Sequence, residues 1–126
     1  MPVHQGICLV EIERVKAAAE RFGGRFLERV FAPGELDYCG EGAARHQRLA
    51  ARFAAKAAVR AALRQAGLPA PPYRALEVKR DEWGMPYLKL LKGVMNGTMI
   101  LLSLSHTRTL AAACAALVKD GTDRRD

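Results

Sequence analysis

Two groups of side chains in this chain could do chemistry. The first is a run of cations: Arg45, Arg48, Arg52, Lys56, Arg60, Arg64 and Arg74 all fall between Gly42 and Leu76, a stretch with no Asp or Glu. Guanidinium groups present forks of N–H donors that match phosphate oxygens, so such a run points to a phosphate-bearing ligand. Arg48, Arg52, Lys56, Arg60 and Arg64 recur at steps of four. On a helix each such step overshoots a full turn by about 40°, so the five form a basic ribbon winding slowly round the axis. A solvated helix face would give the same spacing, but such faces mix both signs of charge. The second group is Ser103, Ser105, His106 and Thr107, where an imidazole beside hydroxyls could serve as a base or a phosphate donor. No nucleophile elbow surrounds these serines, which sets serine hydrolase chemistry aside. Cys8 lies in an apolar segment, where burial raises a thiol's pKa and suits a core residue better than a nucleophile.

These residues need a scaffold, and the chain is long enough for one domain: 126 residues, half of them hydrophobic. Its formal charge of +7 favours acidic partners, whether a phosphorylated ligand, nucleic acid, an anionic membrane or an acidic protein. Nucleic acid ranks below a small phosphorylated ligand, because no reader motif is present and aromatics are not interleaved with the basic residues. No apolar run reaches membrane-spanning length and no secretion signal is visible. Cys8, Cys39 and Cys114 form no CxxC pair, so neither a zinc site nor a disulfide framework is signalled, and a cytoplasmic setting is expected.

Val3–Val10 reads as a buried strand. Glu11–Phe22 has helical periodicity and stops at Gly23-Gly24, Arg25–Phe31 adds a further turn or two, and Pro33 opens a short helix to Tyr38. Ala43–Ala66 is the longest helix, closed by Gly67 and Pro69. Beyond the Pro69, Pro71 and Pro72 connection the period changes to two: Leu76 and Val78 alternate with charge, Tyr87–Leu91 follows a Gly84-Met85-Pro86 turn, and Met99–Leu104 is strongly apolar. Leu110–Val118 is alanine-rich, yet its place after a strand and a short Ser-His-Thr loop favours a strand. The expected architecture is α+β, with helices first and then an antiparallel sheet of about four strands, counting the N-terminal one. Residues 1–119 form the domain and 120–126 a polar, frayed tail.

In this order the segments resemble the holo-acyl-carrier-protein synthase family, the small trimeric phosphopantetheinyl transferases. The resemblance runs from Gly6 to Val118. It is carried by Gly6-Ile7-Cys8-Leu9-Val10-Glu11-Ile12 with Arg14, by Arg25-Phe26 to Phe31, and by Glu35 to Cys39. It continues through Arg52-Phe53-Ala54-Ala55-Lys56-Ala57-Ala58, Gly84-Met85-Pro86-Tyr87-Leu88 and Ser103-Leu104-Ser105-His106-Thr107. The family implies transfer of the phosphopantetheine arm of coenzyme A to a serine of acyl carrier protein, using Mg²⁺. It also implies a trimer with sites between protomers.

The resemblance implies a metal held by an Asp in the first motif and a Glu in the helix motif, with a Lys further along that helix. Here those positions are Cys8, Ala57 and Ala61, although Arg60 stands beside the last. Mg²⁺ takes oxygen ligands, which neither a thiol nor a methyl group supplies. Glu11 is three residues from Cys8 and so on the opposite face of a strand. No metal site and no intact catalytic set are therefore expected. By resemblance Arg45, Arg52, Lys56, Ser105, His106 and Thr107 face coenzyme A, and Arg14, Arg21, Arg25 and Phe26 face the acidic helix of the carrier protein. The expectation is a relative that binds coenzyme A, acyl carrier protein or both with impaired transfer; the alternative is an active transferase with an altered metal site. A homotrimer is expected, or a mixed oligomer in which an intact partner supplies the missing groups.

Overall fold

The computed structural model describes residues 3–90 and 98–119. The tail 120–126 and Leu91, expected to end a strand, lie outside the described residues. Strand β1 (Val3–Glu11) runs directly into α1 (Ile12–Phe22), with Glu11 still extended. Helix α1 stops at Gly23, whose φ of 55° lets its N–H return to Ala19 O, a conformation glycine adopts at no steric cost. Two short helices follow, α2 (Gly24–Val30) and α3 (Pro33–Cys39), then the 21-residue α4 (Arg45–Gln65). A 3₁₀ turn (Tyr73–Ala75) leads into β2 (Leu76–Arg80), β3 (Pro86–Leu90), β4 (Thr98–His106) and β5 (Leu110–Lys119).

The architecture is α+β, but the strands do not form one four-stranded sheet. Among the described residues five strands make two antiparallel sheets, β1-β5-β4 and the hairpin β2-β3. Strand β3 lies against β4 without a ladder between them. The alanine-rich β5 is indeed a strand, and it is the central one, paired on both edges. Its small side chains suit the position. Ala113, Ala115 and Leu117 meet Ala54, Ala55, Ala58 and Ala62 of α4 in the larger core cluster, with Leu76 and Val78 beside them. Alanine against alanine brings helix and sheet unusually close. At Gly6, opposite Ala115, a Cβ would overlap the backbone of Ala58 and Ala62, so strand and helix are in backbone contact there.

Two expectations change on folding. Strand β1 is buried on one face only: Ile7 and Leu9 are 73% and 65% exposed, because α4 covers the even-numbered side and nothing among the described residues covers the other. Conversely Glu77, the charge that alternates with Leu76 and Val78, is buried with them. The small helix α3 covers the second face of β2, and Gly34 sits so close that a Cβ there would strike the Glu77 carboxylate. A second core cluster of Ile12, Val15, Phe31, Cys39, Leu49, Ala50 and Ala111 fastens the helical arm to the N-terminal half of α4.

Candidate functional site

Cys8 lies on the even-numbered face of β1, half-buried and packed against the alanine cluster of α4. Burial pushes its thiol pKa up, so the neutral form is favoured and a hard cation gains nothing from it. Ala57 is half-buried and Ala61 exposed on α4. Glu11 is on the exposed, opposite face of β1 from Cys8. These side chains do not fit a magnesium ion, and among the described residues no three of His, Cys, Asp or Glu come together as a metal-ligand group.

The basic ribbon of α4 is put to several uses. Arg48 Nη1 donates to Cys39 O at 2.9 Å, and Arg45 Nη1 donates to Gly40 O while pairing loosely with the exposed Glu41. These two guanidinium groups cap the carbonyl end of α3, where cations are favoured. Arg60 Nε donates to Pro71 O at 2.8 Å, and its guanidinium lies 4.6 Å from the Tyr73 ring centroid. Tyr73 stacks in turn on Phe53. Arg60 is thereby held at the connection between α4 and β2.

Lys56 departs furthest from expectation. Assigned by resemblance to coenzyme A, it is fully buried, ion-paired with the equally buried Glu35 and donating to Val30 O. One step of four beyond Arg52 carries it beneath the α2–α3 connection, where no ligand in solvent reaches it. Glu35 binds three partners. Its Oε1 also accepts the Ala32 N–H at 2.9 Å and its Oε2 the Val78 N–H at 2.8 Å. One carboxylate thus joins the start of α3, the middle of α4 and strand β2. Burial raises the Glu35 pKa and lowers that of Lys56, in each case against their mutual attraction. In the sequence Glu35 stands out only as the start of the Glu35 to Cys39 motif. Its signal was position N3 behind Pro33, where a carboxylate reaches back to the N-cap N–H.

Arg52 is also buried, at 2% exposure, but differs in its partners. Its guanidinium lies 4.0 Å from the centroid of the exposed Tyr38 ring, and its Nε has no hydrogen-bond partner among the described residues. It lines a pocket of about 160 Å³ with Gly34, Tyr38, Glu77, Val78, Lys79 and Arg80. Tyr38 falls in the Glu35 to Cys39 motif and Lys79 in no motif, and only the fold brings the two to Arg52.

Ser105, His106 and Thr107 are exposed at the β4–β5 turn. The Thr107 Oγ1 accepts the N–H groups of Thr109 and Leu110, so it shapes the turn. His106 Nδ1 is 3.3 Å from Thr107 O. Ser105 lies on the uncovered sheet face, in register with Ala112 and Leu9. These three residues do not line the Arg52 pocket. On the helical arm, Arg14 and Phe26 are brought together: with Val10, Val15, Ala18 and Phe53 they line an apolar pocket of about 240 Å³. Arg21 and Arg25 are exposed on the same two helices.

Comparison with known proteins places this arrangement. The sequence model of the 4'-phosphopantetheinyl transferase superfamily matches residues 6–115. A holo-acyl-carrier-protein synthase of Koribacter versatilis is 35% identical over 119 residues, covering 89% of this chain and 94% of that protein. One from Desulforudis audaxviator is 36% identical, covering 95% of each. Among solved structures, the Chronobacterium ammoniagenes synthase in complex with coenzyme A superposes with a TM-score of 0.80 at 30% identity, over 95% of this chain and 99% of that one. The chain belongs to the holo-acyl-carrier-protein synthase family within the 4'-phosphopantetheinyl transferase superfamily.

Proposed function

We propose that this protein binds coenzyme A and acyl carrier protein as its relatives do, and that its transfer of the phosphopantetheine arm is impaired. What supports the second half is the donor set: a half-buried thiol at Cys8, its pKa raised by burial, and methyl groups at Ala57 and Ala61 occupy the positions that the resemblance gives to two oxygen ligands and a lysine. Loss of a metal or cationic clamp of this kind costs on the order of a thousandfold in rate or more. Arg60, held at Pro71 and Tyr73, supplies no substitute.

Two features support retained binding. The apolar pocket flanked by Arg14, with Arg21 and Arg25 on the same helices, suits an acidic helix that presents one apolar side chain. On the nucleotide side, Arg52 keeps an unpartnered donor; Arg45 from the start of the same helix and Ser105, His106 and Thr107 from the β4–β5 turn complete the proposed set. A trimer is proposed on the uncovered sheet face. Val3, Ile7, Leu9, Met99 and Leu101 are each more than half exposed there, an apolar surface that in a soluble chain marks an interface. Closing that face carries Ser105 and its turn to a neighbouring protomer, so the site is completed between copies.

The test is direct. Purified protein is incubated with coenzyme A, an apo acyl carrier protein and Mg²⁺, and the carrier is weighed for the added arm. Transfer is expected to be absent or slowed at least a thousandfold against a family enzyme; turnover at the family rate would replace this reading with that of an active enzyme using other ligands. Calorimetry with coenzyme A should still show binding, equal with and without Mg²⁺. The triple variant Cys8→Asp, Ala57→Glu, Ala61→Lys should regain magnesium-dependent transfer.

A further inference from the structure

Apart from the uncovered sheet face, the largest apolar exposures fall on the loop that joins β2 to β3. Trp83 is 78% exposed there and Met85 60%, and no large apolar side chain among the described residues is more exposed than Trp83. It is also the only tryptophan of the chain. Neither side chain joins a core cluster or an aromatic pair among the described residues.

The loop that displays them is tightly ordered. Asp81 Oδ1 accepts the N–H groups of Trp83 and Met85, each at 2.9 Å. The Asp81 N–H donates to Met85 O and the Gly84 N–H to Asp81 O, both at 2.9 Å. Gly84 takes a φ of 82°, which favours glycine, and Arg80 Nη1 donates to Gly84 O at 2.6 Å. Only the backbone of Trp83 and Met85 takes part in these bonds, so the turn does not call for apolar side chains at either position. An indole and a thioether held side by side in solvent on a fixed loop mark a contact surface.

The residues behind the loop say what that surface meets. Lys79 pairs across the hairpin with Tyr87, and Glu77 with Lys89, so the four share one face. Tyr87 and Lys89 are exposed and Lys79 partly so, whereas Glu77 is buried. Arg80 is exposed beside the loop, where Asp81 is engaged by its backbone bonds and Glu82 is the exposed acid. The tip is thus apolar at its apex, with an aromatic hydroxyl and three cations set behind it. A protein partner would need a recess cut to this convex shape. A lipid headgroup layer deforms around it, takes Trp and Tyr at its polar–apolar boundary, and offers phosphates to Lys and Arg. The formal charge of +7 acts in the same sense.

We propose that the β2–β3 loop docks on an anionic phospholipid surface, with Trp83 and Met85 entering the headgroup layer and Lys79, Arg80 and Lys89 facing the lipid phosphates. No described helix is long and apolar enough to cross a membrane, so the contact is peripheral and reversible. It does not depend on coenzyme A binding, and Trp83 and Met85 line neither the Arg52 pocket nor the arm pocket.

The sole tryptophan reports the contact directly. The intact protein is titrated with vesicles of phosphatidylcholine alone and of an equal mixture with phosphatidylglycerol. Trp83 emission should move to shorter wavelength saturably with the mixed vesicles only, be quenched by lipid brominated near the top of its acyl chains, and respond less at high salt. Binding followed by vesicle sedimentation should weaken about thirtyfold in Lys79→Gln, Lys89→Gln, each cation near an anionic surface being worth about fivefold. Glu82→Gln should tighten it severalfold. The contact is refuted by an unmoved emission, by an equal response to neutral vesicles, or by undiminished binding in the double variant. It is equally refuted if Trp83 shifts with protein concentration alone, which would mean that a second copy covers the tip, or with apo acyl carrier protein but not with vesicles.

Discussion

Removing either member of the Glu35–Lys56 pair should cost more stability than any other single change outside the alanine core, and the two removals should respond to pH in opposite directions. Both side chains are fully buried, so neither can be rescued by solvent. Breaking a buried pair by removing one partner costs about 3–5 kcal/mol, a large share of the roughly 5–15 kcal/mol that holds a domain of this size together. In Lys56→Met the carboxylate keeps its backbone donors at Ala32 and Val78 but loses the cation that opposes its burial. Its folded pKa then stands further above the unfolded value. Stability is full at low pH and is lost as pH rises through the folded pKa. In Glu35→Gln the ammonium stays buried with Val30 O, and its folded pKa is depressed further. Stability is then full above the unfolded value and is lost as pH falls through the folded pKa. Urea unfolding followed by circular dichroism between pH 5 and 9.5 should show Lys56→Met gaining stability toward the acid end and Glu35→Gln toward the alkaline end. The double variant should be at least about 2 kcal/mol more stable than the sum of the single losses predicts. Parallel pH profiles, or simple additivity, would show that the pair is not the clamp described.

Three further outcomes follow from the packing. Gly6→Ala places a methyl group into the backbone of α4 and should destabilise by about 3 kcal/mol or more, read as a lowered urea midpoint; an unchanged midpoint would mean strand and helix can part freely. Ile7→Glu puts a charge on the uncovered sheet face while touching little of the core, so sedimentation should show smaller assemblies with the helical content unchanged. Phe26→Ala should weaken acyl carrier protein binding about tenfold without altering affinity for coenzyme A, because Phe26 lines the arm pocket and not the one at Arg52; an equal loss for both ligands would point to general damage to the arm.

Much of the fold was legible because local rules and tertiary context agree. Gly23 ends α1, Pro33 opens α3, and the two-residue period after Pro72 marks strands. Strand β5 was readable from its place in the chain, even though its alanines favour helix. The division into two sheets was not legible, since it depends on which strand edges meet. Nor was the burial of Glu77, which follows from α3 folding back over β2, a contact between residues some forty positions apart in the chain. In the candidate site, substitution at Cys8, Ala57 and Ala61 can be seen only against a family pattern. The joining of Arg14 to Phe26 and of Arg52 to Tyr38 requires the helices to be packed.

The absence of acids from α4 has a physical explanation that single-helix reasoning misses. An acid-free helix considered alone presents a surface to anions, but the partners of these cations come from elsewhere in the chain. Glu35 on α3 neutralises Lys56, and the carbonyl groups of Val30, Cys39, Gly40 and Pro71 receive Lys56, Arg48, Arg45 and Arg60. Carboxylates on α4 itself would compete for those cations at the i±4 spacing and loosen the arm. The charge pattern therefore serves the fold first, and a ligand-binding cation is distinguished by its unmet donors rather than by its charge. On that criterion Arg52 stands apart from the satisfied members of the ribbon. Affinity for a phosphorylated ligand should accordingly weaken with salt by an amount set by a few phosphate contacts, well short of the dependence that the formal charge of +7 would suggest if every cation of α4 faced the ligand.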